Sequence, residues 1–183
     1  MTLGPAFDAV LGAARAGEEW AWTRIYQDLA GPVRGYLAGR GAPEPDDDAA
    51  ETFLHVARNL ATFTGDERAF RSWVLSIAHR RMVDAHRRAA RRPAIAATEL
   101  TDARAGLAPS AEEVALLQDQ ARAVDALLEG LSDDQREVLL LRIVGGLSVK
   151  ETAAVLGKGE SAVKVAQHRA LAALRRVGVA SAM

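Results

Sequence analysis

Apolar residues recur along most of this chain at intervals of three and four positions, the spacing of one face of an α-helix. No segment sustains the alternation of apolar and polar residues that is typical of a β-strand. The pattern predicts two groups of helices. We expect the first group near residues 6–16, 18–40, 47–61 and 67–90, and the second near residues 111–129, 133–144, 148–156 and 161–177.

Four capping-box patterns support the predicted helix starts. In such a box a Ser or Thr side chain accepts from a free backbone N–H, and a Glu or Gln three residues later bonds back. The pairs are Thr64 with Glu67, Ser110 with Glu113, Ser132 with Gln135, and Ser148 with Glu151. Each pair precedes a helical apolar pattern, which predicts that a helix begins there.

Prolines mark the division between the two groups of helices. Pro93 and Pro109 bracket a stretch rich in Ala, Thr and Gly that has no clear period. Proline disfavours helix interiors and restricts the residue before it. We therefore predict an all-α protein with two helical domains, residues 1–92 and 111–183, joined by a flexible linker over residues 93–110.

Charge is strongly segregated along the chain, although the formal net charge is only −1. Residues 79–92 contain six arginines and one acid, and residues 158–176 contain five bases and one acid. Residues 93–137 carry ten acids and three bases. Two separate basic segments predict two contacts with a polyanion. For either segment alone, a solvated helix face is the alternative.

Several classes of site and location are excluded or disfavoured by the composition. The chain has no cysteine, which excludes disulfides and thiolate metal sites. Four scattered histidines without an HExxH spacing make a poor metal site. There is no Gly-rich phosphate loop and no nucleophile elbow, so we expect no catalytic residues, no metal and no cofactor. A signal pattern and a membrane-length apolar run are also missing, which favours a cytoplasmic protein.

The strongest local pattern predicts a helix-turn-helix near the carboxyl end. The helix over residues 148–156 ends at Gly157, a residue that can adopt the left-handed conformation of a helix stop. A tight turn and a longer helix follow. At about 100° per residue, the apolar face of that longer helix carries Val163, Ala166, Ala170, Leu174 and Val177. The opposite face carries Ser161, Lys164, Val165, His168 and Arg175, with Arg169 at its edge.

Such an outer face can enter the major groove of DNA. There Lys and Arg can pair with guanine, while Val can touch a thymine methyl group. The alternative is an ordinary helical hairpin with a solvated basic face. In the first domain, residues 70–88 combine an apolar stripe at their start with dense arginines at their end. This pattern predicts a helix that packs at one end and contacts phosphates at the other.

At these residues the chain resembles the extracytoplasmic-function sigma factors, which keep a sigma-2 and a sigma-4 domain. The sigma-2 resemblance lies in residues 47–54 and 70–88, and the sigma-4 resemblance covers residues 131–176. It implies that residues 1–92 form a sigma-2 helical bundle and residues 111–183 a sigma-4 helix-turn-helix domain. The implied function is binding RNA polymerase core and directing it to promoters.

The resemblance also implies four sets of contact residues. The helix that docks on the polymerase β′ clamp helices would contribute Asp47, Glu51, Thr52, Leu54, His55 and Arg58. A loop over residues 63–69 that captures a flipped −10 base would contribute Phe63, Thr64, Asp66 and Arg68. The upstream −10 reader would contribute His79, Arg80, Arg81 and Arg87. The −35 readers would be Ser161, Lys164, Val165, His168 and Arg169.

The partners implied by the resemblance are RNA polymerase core, through the β′ clamp helices and the β flap, promoter DNA, and an anti-sigma factor. Two other classes of protein fit parts of the pattern. A stand-alone helix-turn-helix regulator would bind DNA without polymerase, but the acidic helix after Pro45 argues against it. An adaptor built of helical hairpins would need no DNA, and the two basic helices argue against that class.

Overall fold

The computed structural model describes residues 3–91, 128 and 130–180, and these residues contain helices and no strand. The α-helices of the first domain are α1 Phe7–Arg15, α2 Glu19–Gly39, α3 Pro45–Asn59 and α4 Glu67–Arg91. Short 3-10 helices lie at Gly4–Ala6 and Leu60–Thr62. The second domain contains α5 Asp133–Leu139, a π turn at Leu140–Val144, α6 Val149–Leu156 and α7 Glu160–Ala180. None of these helices is long and apolar enough to cross a membrane.

The predicted all-α fold with two helical domains is confirmed, and most helix bounds agree within a few residues. One difference is the helix predicted over residues 133–144, which divides into α5 and the π turn. The helix predicted near residues 18–40 is confirmed as α2, which continues through Pro32 although proline disfavours a helix interior. The helix predicted over residues 111–129 and the linker at 93–110 lie outside the described residues.

Two of the four predicted capping boxes are confirmed in the second domain. The Ser132 hydroxyl accepts from the Gln135 backbone, and the Gln135 side chain accepts from the Ser132 backbone at 3.2 Å. Ser148 and Glu151 form the same reciprocal pair at the start of α6. These bonds satisfy backbone donors that a helix start leaves free. The pattern at residues 110–113 lies outside the described residues.

The predicted capping box of Thr64 and Glu67 is wrong. Asp66 precedes α4 directly, and its carboxylate accepts from the Ala69 backbone N–H at 2.8 Å. Aspartate is as good a capping residue as serine or threonine and here lies closer to the first turn. The Glu67 carboxylate instead accepts from the backbone N–H groups of residues 3–4, at 2.6 and 2.9 Å.

The core of the first domain lies between α1, α2, α3 and α4. Tyr36 and Phe70 are among its largest fully buried side chains. An ion pair of 2.7 Å between Asp28 on α2 and Arg71 on α4 joins two helices that pack on this core. Burial raises the pKa of Asp28, and the charge of Arg71 opposes that effect. The pair therefore links the first turns of α4 to α2.

In the second domain, α5, α6 and α7 pack around Val138, Ala153 and Val163. The helix α6 ends at Gly157, whose φ of 63° is left-handed as predicted. The turn to α7 is held by Lys158, which donates to the Asp134 carboxylate at 2.8 Å. This arrangement is a helix-turn-helix with α7 as its second helix.

The two domains touch at points where a glycine of one domain meets an apolar side chain of the other. A Cβ atom at Gly39 would lie 2.5 Å from a Leu140 methyl carbon, which is too close for real atoms. A Cβ at Gly145 would lie 2.7 Å from a methyl carbon of Leu75. Glycine at position 39 therefore lets the end of α2 approach the π turn closely. Glycine at position 145 lets the backbone just after the π turn approach α4.

Changing Gly157 to alanine should lower the free energy of unfolding by about 1–2 kcal/mol, because a side chain disfavours the left-handed backbone. No atom lies within 4 Å of the added Cβ, so the cost is conformational rather than steric. The control is Gly12→Ala inside α1, also open in space, which should raise stability by about 0.5–1 kcal/mol. Denaturant unfolding measures both, and effects of the same sign would contradict the prediction.

Candidate nucleic-acid and polymerase interfaces

The outer face of α7 is exposed as predicted. Val163 and Ala170 on the inner face are completely buried. Val165 on the outer face is a large hydrophobic side chain that is 49% exposed. The predicted −35 readers that this face presents to solvent are Ser161, Lys164, Val165, His168 and Arg169. The structure therefore brings them together on one exposed surface that could enter a DNA groove.

Arg142 of the π turn holds α7 in position. Its guanidinium donates to the Gln167 side chain at 3.0 Å and to the backbone carbonyl of Leu147. One side chain thus links α7 to the segment that leads into α6. Planar guanidinium groups suit such fixed, two-partner geometries. The outer face of α7 is consequently presented in a set orientation relative to α6.

Three of the four loop residues assigned to the −10 base are exposed, namely Thr64, Asp66 and Arg68. Phe63 is the exception, because it is only 7% exposed. Its ring packs against Phe70 and against the indole of Trp73, both with centroid distances of 5.1 Å. In this arrangement Phe63 supports the loop from below, and little of its side chain is exposed although it borders the neighbouring cleft.

A cleft of about 860 Å³ lies beside this loop, between the first domain and α6. Trp73 and Ser72 line its first-domain wall, and Val155 lines the α6 wall. Arg68 donates across it to Glu151 at 3.2 and 3.3 Å. Burial alone would raise the pKa of Glu151, but the bonds from Arg68 and Ser148 outweigh it and lower that pKa. One predicted −10 contact, Arg68, is therefore engaged with the second domain.

His79 on α4 is also engaged with the second domain. Its Nδ1 lies 3.2 Å from the Glu137 carboxylate and 3.0 Å from the Tyr36 hydroxyl. Arg40 contacts the same carboxylate at 3.5 Å. Burial would raise the pKa of Glu137, but the bond from His79 and the charge of Arg40 hold it below its usual value. The predicted DNA contact of His79 is therefore not available in this arrangement.

The arginines of α4 differ in their surroundings. Arg80 and Arg87 are exposed. Arg81 is partly buried and lies 3.9 Å from the Asp48 carboxylate and 3.7 Å from that of Glu51. The structure thus leaves Arg80 and Arg87 open to phosphates, while Arg81 links α4 to α3.

The exposed face of α3 carries five of the six predicted docking residues. They are Asp47, Glu51, Leu54, His55 and Arg58. Leu54 is 49% exposed and is therefore an apolar side chain on a surface of mostly charged residues. Thr52 is the exception, because it is completely buried and its hydroxyl donates to the Asp48 carbonyl at 2.7 Å. Thr52 therefore faces the interior, bonded within its own helix, and does not face a partner.

Sequence reasoning missed the residues that hold these surfaces through distant contacts. Arg15 at the end of α1 bonds the backbone just before and at the start of the loop over residues 63–69, and Glu137 pairs with two side chains of the first domain. No local signal marks such partners, because they lie tens of residues away in the chain. The described residues contain no group of three potential metal ligands.

Two family models match this chain. The model of Sigma-70 region 2 covers residues 21–92, and the model of Sigma-70 region 4 covers residues 121–174. The second match includes the whole helix-turn-helix except the end of α7. Together they reproduce the order of the two domains.

Similar proteins share both domains. The chain is 36% identical to the ECF RNA polymerase sigma factor SigD of Mycobacterium tuberculosis, over 94% of this chain and 84% of that protein. It is 34% identical to the ECF RNA polymerase sigma factor BldN of Streptomyces coelicolor, over 90% of this chain and 62% of that protein.

Solved structures show the same fold. The structure of CnrH in complex with the cytosolic domain of CnrY matches 96% of this chain and 98% of that chain, with 25% identity and a TM-score of 0.69. The sigma factor RpoE of Bartonella quintana, in complex with the anti-sigma factor NepR, matches 92% of this chain and 91% of that one, with 20% identity and a TM-score of 0.55. This chain therefore belongs to the sigma-70 family as an extracytoplasmic-function sigma factor, a non-enzymatic protein of promoter-specific transcription initiation by RNA polymerase.

Proposed function

We propose that α7 of the second domain reads −35 DNA, while the first domain docks on polymerase core through α3 and holds melted −10 DNA with the loop and α4. The observation that carries this proposal is the outer face of α7. It is polar and basic, it is exposed, and Arg142 fixes its orientation. A helix presented in this way can place three or four side chains on base edges.

The first domain supplies a cleft and a basic side chain, which are two features that support melted DNA. Extruding a base from the duplex costs a few kcal/mol of unstacking, and a pocket with basic contacts can offset that cost. The exposed loop residues Thr64 and Asp66 lie at the mouth of the cleft, and Arg80 lines it. The sequence has no nucleotide-binding loop, so binding energy has to drive the melting.

Before the first domain meets DNA, two of its side chains must leave their present partners. Arg68 is bonded to Glu151, and His79 lies against Glu137. Both partners are acidic, and each engages a side chain that the proposal assigns to DNA. The proposed function therefore includes a separation of the two domains when the protein engages polymerase and promoter.

The proposed partners are the β′ clamp helices, the β flap, promoter DNA and an anti-sigma factor. The exposed face of α3, with Leu54 among charged residues, supports the clamp helices as its partner. An anti-sigma factor is supported by the solved relatives. RpoE of Bartonella quintana was solved with NepR, which is named as an anti-sigma factor, and CnrH with the cytosolic domain of CnrY.

In vitro transcription tests the proposed function. Core polymerase and this protein are incubated with a pooled library of genomic promoters, and transcript starts are sequenced. We expect starts that share one −35 and one −10 sequence and that are missing with core alone. A protein that bound DNA but gave no core-dependent starts would instead be a stand-alone regulator. A protein without any DNA dependence would be an adaptor.

A further inference from the structure

The amino-terminal segment of residues 3–15 lies before the part of the chain that the region 2 model matches, yet it contacts the −10 loop at both ends. At the start of the loop, the Arg15 guanidinium donates to the Leu60 carbonyl at 3.3 Å and to the Phe63 carbonyl. At the end of the loop, the Glu67 carboxylate accepts from two backbone N–H groups of residues 3–4.

Only residues 64–66 lie between these two anchors. Thr64, Gly65 and Asp66 are exposed, whereas Phe63 is buried beneath them. The Phe7 ring of α1 packs against Phe70 at a centroid distance of 5.7 Å, beneath the same cluster. The segment therefore fixes both ends of a short loop and leaves its tip free.

The chemistry of Arg15 suits a clamp on the backbone. Leu60 begins the short 3-10 helix that follows α3, and Phe63 lies at its end. The Leu60 carbonyl accepts from the Phe63 backbone N–H at 3.2 Å, and Arg15 adds a second bond to the same oxygen. A planar guanidinium can donate to two such carbonyls at once in a fixed geometry, whereas a lysine ammonium holds no such fork. Arg15 therefore sets where the loop begins.

We propose that Arg15, with the amino-terminal segment that carries it, is a positioning element for the loop that receives the unpaired −10 base. This inference rests on the proposed function of that loop. A loop fixed before binding loses less conformational freedom when it closes on a base. Arg15 itself does not contact the base, since its guanidinium is directed at backbone carbonyls on the α1 side.

The test compares Arg15→Ala, Arg15→Lys and the control Arg24→Ala, each as the full chain with core polymerase. Arg24 is an exposed arginine on α2, so its loss makes the same change in charge away from the loop. Permanganate reactivity of −10 thymines reports duplex opening. Competition between pre-melted templates that differ at the unpaired −10 base reports base preference. Core affinity and thermal unfolding are measured alongside.

For Arg15→Ala we expect opening to slow about tenfold, which corresponds to ~1.4 kcal/mol, and base preference on pre-melted DNA to weaken. Core affinity should stay at the level of Arg24→Ala. Arg15→Lys should remain defective in opening and in base preference, because lysine keeps the positive charge but cannot donate to both carbonyls in the fixed geometry of a guanidinium. If Arg15→Ala does not fold, the decision rests on Arg15→Lys, whose long side chain preserves the packing.

Two results would overturn the inference. One is an Arg15→Ala protein whose base preference and rate of duplex opening equal those of Arg24→Ala. The other is full rescue by lysine, which would make Arg15 a general phosphate contact. A failure of the proposed function looks different, because the unchanged protein itself would then give no core-dependent opening and no base preference.

Discussion

Replacing Leu54 and Arg58 together by glutamate is expected to abolish binding to RNA polymerase core while the protein stays helical. Both side chains are exposed on α3, so the fold does not depend on them. In a docked complex Leu54 would be buried, and a glutamate there would be a buried charge without a partner. Such a change costs about 2–5 kcal/mol for each disrupted contact, which is a loss of affinity of roughly 100-fold or more.

The matched control places the same chemistry on a different surface. Trp20 and Arg24 lie on α2, and Trp20 is 52% exposed. Replacing both by glutamate adds the same charges to an apolar and a basic position, and core binding should be retained. Co-purification with core and circular dichroism measure the two outcomes. A folded Leu54→Glu/Arg58→Glu protein that co-purifies normally would remove α3 from the interface.

The second large effect concerns sequence reading by α7. Lys164→Ala and His168→Ala are expected to change the preferred −35 sequence, because each removes a side chain from the centre of the exposed face. Loss of a base contact costs about 1–3 kcal/mol and relaxes preference at one position. Arg175 lies toward the end of the helix, where it would meet phosphates. Arg175→Ala should weaken binding to all DNA sequences alike. It should also reduce the slope of log affinity against log salt concentration by about one unit.

Transcription from a randomised −35 library, at two salt concentrations, separates these outcomes. Each variant gives a preferred sequence and a dependence of output on salt. An unchanged −35 preference in both Lys164→Ala and His168→Ala would show that α7 packs without reading bases. Promoter choice would then rest on the first domain.

The fold was largely predictable because its determinants are local. Helix bounds follow from apolar spacing and caps, and the burial of Val163 and Ala170 on one face of α7 follows from helical geometry. The same local rule exposes Lys164 and His168 on the other face. A helix that packs along one side obeys its sequence period whatever its partner is.

Three site residues show where the roles implied by the family resemblance fail. Thr52 lies on the buried side of α3, and Phe63 lies beneath the loop to which it was assigned. His79 lies against Glu137, 58 residues further along the chain, across the contact between domains. The burial of Thr52 follows from helical spacing, since it shares one face of α3 with Ala49, Phe53 and Val56. The environments of Phe63 and His79 instead depend on which helices meet and on how closely they approach. A family motif gives the position of such residues but not the direction of their side chains.

The close contacts at Gly39 and Gly145 have a consequence for recombining these domains. The leucine that meets each glycine belongs to the other domain, Leu140 facing Gly39 and Leu75 facing Gly145. A hybrid that joins either domain to a foreign counterpart keeps only one half of each fitted pair. Exchange of whole domains would thus preserve the internal structure of each domain, yet change how tightly the two domains pack on one another.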